Sequence, residues 1–241
     1  MGGDLDTIGP ELTGPEARSA LAWWLEAGVD VAVQEDPRDW LAPPSPKPGR
    51  AEPPPIPNVV EPAHQTLAEL QGWLASSAQL PLASATARRI LPHGPAEAPV
   101  MLLADAPALE DFAAGQPIGG DSWALATRML AAIGIAADQA YVASLACFHT
   151  PGVKMSPAER EACADIARRH IALAQPKRLL LLGDGPSLAL LGKPASQARG
   201  HVHKVEGVRA VATFHPRQLI KRPLDKSLAW RDLLLLMEDE S

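Results

Sequence analysis

Cysteine, aromatic residues and long apolar runs are scarce in this chain. Two cysteines in 241 residues exclude a disulfide scaffold and suit a reducing compartment. No apolar run approaches the roughly eighteen residues that a membrane-spanning helix needs. The opening MGGDLDTIGPEL lacks the basic and apolar regions of a secretion signal. Asp6 stands where a myristoylation signal carries Ser or Thr. The cytoplasm is the expected compartment, and no membrane partner is expected. Aromatics make up only 4%, so the core must be built from Ala, Leu, Val and Ile.

What is present is enough for one α/β domain with an appendage or for two small domains. The chain is 46% hydrophobic, with a net charge of −6. That charge is segregated. Residues 1–62 hold eleven acids and four Lys/Arg, whereas 199–231 hold eight Lys/Arg and two acids. A local positive run inside an acidic chain is the footprint expected of a surface that meets a phosphate backbone.

Three segments are predicted. Residues 1–41 carry apolar residues at helical spacing around Trp23 and Trp24, an N-terminal helical segment suited to docking a protein partner. Residues 42–63 are proline-rich, a stiff extended linker. From 64 onward, helical and apolar-strand patterns alternate. Strands are expected at 98–105, 140–146, 177–183 and 208–214. Helices are expected at 65–78, 122–135, 156–174, where Ser156 and Glu159 form a capping-box pattern, and 224–238. Near-continuous apolar strands between helices imply a three-layer αβα sandwich on a four-stranded parallel sheet.

Ligands of such sheets lie beyond the carboxyl ends of the strands. Four loops converge there: Ala104–Asp111, Ser144–Thr150, Gly183–Ser187 and Phe214–Pro223. Asp105 suits orienting a water molecule, though an Asp there also caps turns. Glu110 and Asp111 read as a solvated helix start. The GDGPS run lacks the Gly-Lys-Ser/Thr of a P-loop, leaving a tight turn whose amides suit a phosphate. His215, held extended by Pro216, heads the basic stretch FHPRQLIKRP, in which Leu219 reads as exposed. His201 and His203 read as surface loop residues.

Together these residues resemble the uracil-DNA glycosylase superfamily, and most of all its family 4. Ala104-Asp105-Ala106-Pro107-Ala108 followed by Gly115-Gln116-Pro117-Ile118-Gly119-Gly120 stands where that family reads Gly-Glu-Ala-Pro-Gly and then Gly-x-Pro-Phe-Val-Gly. Ala143-Ser144-Leu145-Ala146-Cys147 stands for Thr-Asn-Val-Val-Lys-Cys. His215, Pro216, Leu219, Lys221, Pro223, Lys226, Trp230, Asp232 and Leu233 keep the register of the family's last motif. Arg199-Gly200 also matches a family pair.

The resemblance implies excision of uracil or another deaminated base from DNA by a monomeric repair enzyme. Asp105 would position water and His215 would stabilise the departing base. Ala106, Pro107, Ile118 and Ser144 would line the base pocket. Gly183, Arg199, Arg217, Gln218, Lys221 and Arg222 would hold DNA, while Leu219 wedges into the vacated stack. The pattern also departs from the family. Asp105 replaces a glutamate, Ile118 a stacking phenylalanine, and Ser144 an asparagine. Of the four cysteines that hold the family's [4Fe–4S] cluster only Cys147 and Cys163 remain, with Ser77 and Leu80 in place of the first pair. No cofactor or metal is therefore expected. Two rival readings stay open: a DNA-binding or partner-docking protein that lost catalysis, and a small nucleotide-handling domain.

Overall fold

The computed structural model describes residues 64–83, 87–149 and 155–238, together with Gly14, Arg18, Ser19 and Trp23. The chain divides into two units, Met1–Pro55 and Ile56–Ser241. In the first, the four described residues are helical and exposed. The rest of the expected N-terminal helix, and the linker at 42–63, lie outside the described residues.

The second unit is an α/β sandwich. Helix α1 (Leu67–Ser76) opens on a capping box, with the Thr66 hydroxyl accepting from the Glu69 amide and Glu69 reaching back to Thr66. Strand β1 (Val100–Ala104) follows, then α2 (Leu109–Ala114), α3 (Gly120–Ala132), β2 (Ala140–Ser144) and α4 (Pro157–Ala174). Next come β3 (Arg178–Leu182), α5 (Asp184–Leu191), α6 (Ala195–Ala198), β4 (Val202–Val205) and β5 (Val208–Thr213). Helix α7 (Pro216–Lys221), a single 3₁₀ turn at Pro223–Asp225 and α8 (Lys226–Met237) complete it.

The sheet has five strands, in the order β2-β1-β3-β5-β4. Its first four strands are parallel and are the four expected. The fifth, β4, pairs antiparallel with β5 and corrects the expected count. Its sequence, VHKV, is short and half polar because it lies at the sheet's edge: Val202 and Lys204 are exposed and only Val205 is buried. Edge strands need no apolar run, and charge there discourages pairing with other chains. His203 consequently lies on a strand rather than in a loop. It is half-buried, with its Nε2 donating to the Ala198 carbonyl at 2.8 Å.

Alternate strand residues feed two cores, as the pleat requires. Met101, Leu103, Tyr141, Ala143, Leu179 and Leu181 pack with Cys163, Ala167 and Ile171 of α4. On the other face Val100, Leu102, Val142, Leu180 and Val211 pack with Leu130 of α3 and Leu233 and Leu236 of α8. Each large aliphatic side chain so buried contributes about 1.5–3 kcal/mol relative to exposure. One polar thread crosses the first core. Gln71 donates to the Tyr141 hydroxyl at 2.8 Å, which in turn donates to Nε2 of His170 at 2.7 Å. His170 therefore stays neutral, its pKa lowered to about 4 by burial.

Candidate active site

The carboxyl ends of β1, β2, β3 and β5 deliver Asp105, Ser144, Gly183 and His215 to one rim. His215 is the N-cap of α7, and its Nδ1 accepts the Arg217 amide at 3.1 Å. Burial lowers its pKa to about 4, and the Arg217 charge adds to that. At neutral pH the ring is thus uncharged, and its one proton resides on Nε2.

Asp105 lies at the end of β1, where its Oδ1 accepts the Ala106 amide at 2.8 Å. Although solvent reaches it, the surrounding protein raises its pKa above the ordinary carboxylate value, and Asp184 adds to the rise. The Ala106 amide, Arg217 and Arg160 oppose it.

The GDGPS run joins these two groups. Gly183, at φ +92°, is the N-cap of α5, and a Cβ added there would come within 3.4 Å of the His215 Cβ. A Cβ on Gly185 would lie 2.1 Å from Asp105 Oδ1, inside its carboxylate. Two glycines one residue apart thus admit the two candidate groups on either side of Asp184. The sequence shows the run as a glycine-rich tight turn after a strand, with amides suited to a phosphate; it does not show that its glycines stand against His215 and Asp105.

The pocket residues are placed unevenly. Pro107 is buried, and its carbonyl accepts from His149 Nδ1 at 2.7 Å. The Ser144 hydroxyl donates to the Ala146 carbonyl at 2.8 Å, so it does not turn freely but presents lone pairs. Ile118, expected to contact a base, is fully buried at 0% exposure and belongs to the core between the sheet and α3. The aromatic face at this rim belongs instead to half-buried Phe112. It lies 5.8 Å from the His149 ring, with the Arg88 guanidinium 5.2 Å from its centroid. Phe112, His149 and Arg88 were not singled out by the sequence, because none falls in a recognisable motif.

The expected DNA-gripping residues divide in the same way. Arg199 is clamped to fully buried Asp232 through Nε and Nη2, both at 3.1 Å, and to the Leu228 carbonyl. Thr213 and the Gly200 amide also bond that carboxylate. Arg217 binds Glu110 at 2.7 Å and Asp111 at 2.5 Å. Asp111 is 1% exposed and further accepts the Ala108 and Gly119 amides. It is therefore a buried staple rather than part of a solvated helix start, and two of the three arginines expected to hold DNA, Arg199 and Arg217, are tied to buried carboxylates. Gln218 is half-buried, while Lys221 and Arg222 are exposed. Leu219, expected as an exposed wedge, is 1% exposed. As the fourth residue of a six-residue helix, it turns inward onto the groove lined by Leu125, Met129, Trp230 and Leu233.

The cysteines are both free and buried. Burial pushes the Cys147 thiol up to about 11 and the Cys163 thiol up to about 12, so neither is a thiolate at neutral pH. Leu80 packs with Cys147 and Phe148 in an apolar cluster under α1, while Ser77 caps that helix. Two thiols beside an apolar plug do not fit a four-thiolate cluster.

Residues 91–234 match the family model described as the uracil DNA glycosylase superfamily. A type-4 uracil-DNA glycosylase of Archaeoglobus fulgidus is 26% identical over 141 residues, covering 54% of this chain and 71% of the relative. Another from Pyrobaculum aerophilum is 24% identical over 147 residues, covering 56% and 75%.

Proposed function

The chain belongs to the uracil DNA glycosylase superfamily, and from that premise we propose that it is a DNA N-glycosylase acting on uracil or another deaminated base turned out of DNA. The observation that carries this reading is the state of His215: buried and neutral, with Nδ1 occupied by the Arg217 amide. As the bond from the sugar to the base nitrogen breaks, its electron pair moves into the base and charge grows on a carbonyl oxygen. A neutral Nε2–H donates to that oxygen without the cost of charging a buried ring. The sugar becomes oxocarbenium-like. Asp105, with Oδ1 held by Ala106, orients a water through its other oxygen and takes the proton as water bonds to the sugar carbon.

Ser144 gives the pocket a preference. Its proton is committed to Ala146, so it accepts from a base N–H. Uracil, hypoxanthine and xanthine carry a ring N–H beside a carbonyl, whereas cytosine presents a bare nitrogen there. The protein works as a monomer in the cytoplasm and without an iron–sulfur cluster. Stoichiometric iron after anaerobic purification would refute the last point.

Buried Ile118 favours a second reading, a DNA-binding module without catalysis. Single-turnover excision from an oligonucleotide containing deoxyuridine, with His215→Ala as control, decides between them. Cleavage of the base by the parent and not by the variant supports the enzyme. A parent that binds DNA yet leaves uracil, hypoxanthine and xanthine intact is the module.

A further inference from the structure

At the amino ends of β3 and β5, the pole of the sheet opposite His215 and Asp105, lies a cavity of about 410 Å³. Lys177, Arg178, Lys204 and Arg209 line it, and Glu238 is the one carboxylate among its lining residues. Six residues of extended chain separate Arg209 from His215, about 20 Å at roughly 3.3 Å per residue. This cavity is not part of the rim that carries the candidate active site.

Strand register makes its charges neighbours. Lys204 stands opposite Arg209 in the antiparallel β4–β5 pair, and Arg178 is the partner of Arg209 in the parallel β3–β5 pair. Partners in register share a face of the sheet, so three cations form one row across three strands spaced about 4.8 Å apart. Like charges so opposed are destabilising. The row is also held firmly. The β4–β5 hairpin closes through Glu206 and Gly207, at φ +48° and +81°, the backbone of a tight two-residue turn. The Lys177 amide donates to the Ala98 carbonyl at 2.9 Å.

The fold answers only part of this charge. Arg178 Nε donates to the Leu236 carbonyl at 3.1 Å, and Arg209 Nη2 to the Leu235 carbonyl at 2.9 Å. The carboxyl end of a helix favours cations, so capping of α8 accounts for the two arginines. It does not account for Lys177 and Lys204, which are exposed and form no ion pair among the described residues. Arg209 Nε is buried and has no hydrogen-bond partner among those residues.

We propose that this cavity binds a small oligophosphate anion, with Lys177, Lys204 and Arg209 supplying the charge. Both cation types bind phosphate, lysine as a point charge and arginine through its planar fork. The cavity has the volume of a small-molecule site, about 300–1,000 Å³. No aromatic side chain lines it, so nothing there stacks on a base and recognition is through phosphate. The inference is independent of the glycosylase reading.

The test titrates the full chain with inorganic triphosphate at fixed ionic strength, read by calorimetry and by melting temperature. K177Q/K204Q and K221A/R222A are compared with the parent. All four side chains are exposed, so both variants should fold, which melting curves without ligand check. If K177Q/K204Q melts early, Lys204→Gln alone takes its place. Expected are saturable binding by the parent, at least tenfold weaker binding by K177Q/K204Q, and unchanged binding by K221A/R222A. A parent that binds no triphosphate, or a folded K177Q/K204Q that binds it as the parent does, overturns the site. Equal weakening in both variants is an effect of overall charge and overturns it too. A second arm measures a single-stranded oligonucleotide. If K177Q/K204Q loses as much affinity for it as for triphosphate, the row holds a nucleic acid backbone and the small-anion site is overturned.

Discussion

His215 and Asp105 are perturbed in opposite senses. Burial lowers the His215 pKa to about 4, so the ring is uncharged at neutral pH. Burial raises that of Asp105 above the ordinary carboxylate value, so its protonation begins closer to neutral pH than an ordinary aspartate's. If Asp105 is the base, its protonation shapes the acidic limb of the excision rate. In Asp105→Asn the rate should fall by about 10²–10⁴ and lose that limb, which a pH series of single-turnover rates checks. Gly185 gives a second test at this scale. Gly185→Ala places a methyl group inside the Asp105 carboxylate, so excision should drop at least about tenfold, the scale that slight misplacement of reacting groups reaches. DNA affinity, measured by anisotropy, should hold within about twofold, because the grip lies elsewhere; a large loss of affinity would contradict the placement. None of this geometry is written in the local sequence. The spacing of Gly183 and Gly185 is visible there, but that His215 and Asp105 come against them depends on β5 and β1 lying on either side of β3.

At the scale of elements, the parallel strands were legible because each is a short apolar run between helical patterns. Strand β4 was not, since an edge strand with one buried valine carries no such run. Helices α5, α6 and α7 escaped for another reason: at four to eight residues they are too short for a periodicity to declare itself, and of the equally short α2 only the start at Glu110 and Asp111 was legible. Missing α7 had a cost, because a helix turns Leu219 inward where an extended loop would have left it open. The same helix separates its cations by role. Arg217 points back to Glu110 and Asp111, while Lys221 and the following Arg222 face solvent. Replacing Lys221 and Arg222 together with Ala should lower the slope of log affinity against log salt by about 1.8 on duplex DNA. An unchanged slope in a salt titration would make this stretch a merely solvated turn. Arg217→Ala should act differently, costing on the order of 3 kcal/mol of stability by stranding buried Asp111, as urea denaturation would show.

For the whole molecule, acid is the condition to watch. His170 and His215 both have their pKa values lowered to about 4 from an ordinary 6.5. The unfolded chain therefore takes up protons below about pH 6.5 that the native state refuses. Their contribution to stability is complete above that pH and drains away as the pH falls toward 4. Asp105 and Asp232, raised by burial, act in the opposite direction, because the native state accepts their protons first. With one histidine sealed inside the main core, the net expectation is a urea midpoint that declines from pH 7 to pH 5; a flat midpoint would contradict it.

The thread from Gln71 through Tyr141 to His170 gives the protein an internal optical probe. Tyr141 is the only tyrosine in the chain, and it is wholly buried, with burial raising its pKa above the ordinary 10. Tyrosinate absorption can thus arise from one ring, buried in the core between the sheet and α4. In an alkaline titration it should develop late and together with loss of tryptophan emission, timing the opening of the core without a label.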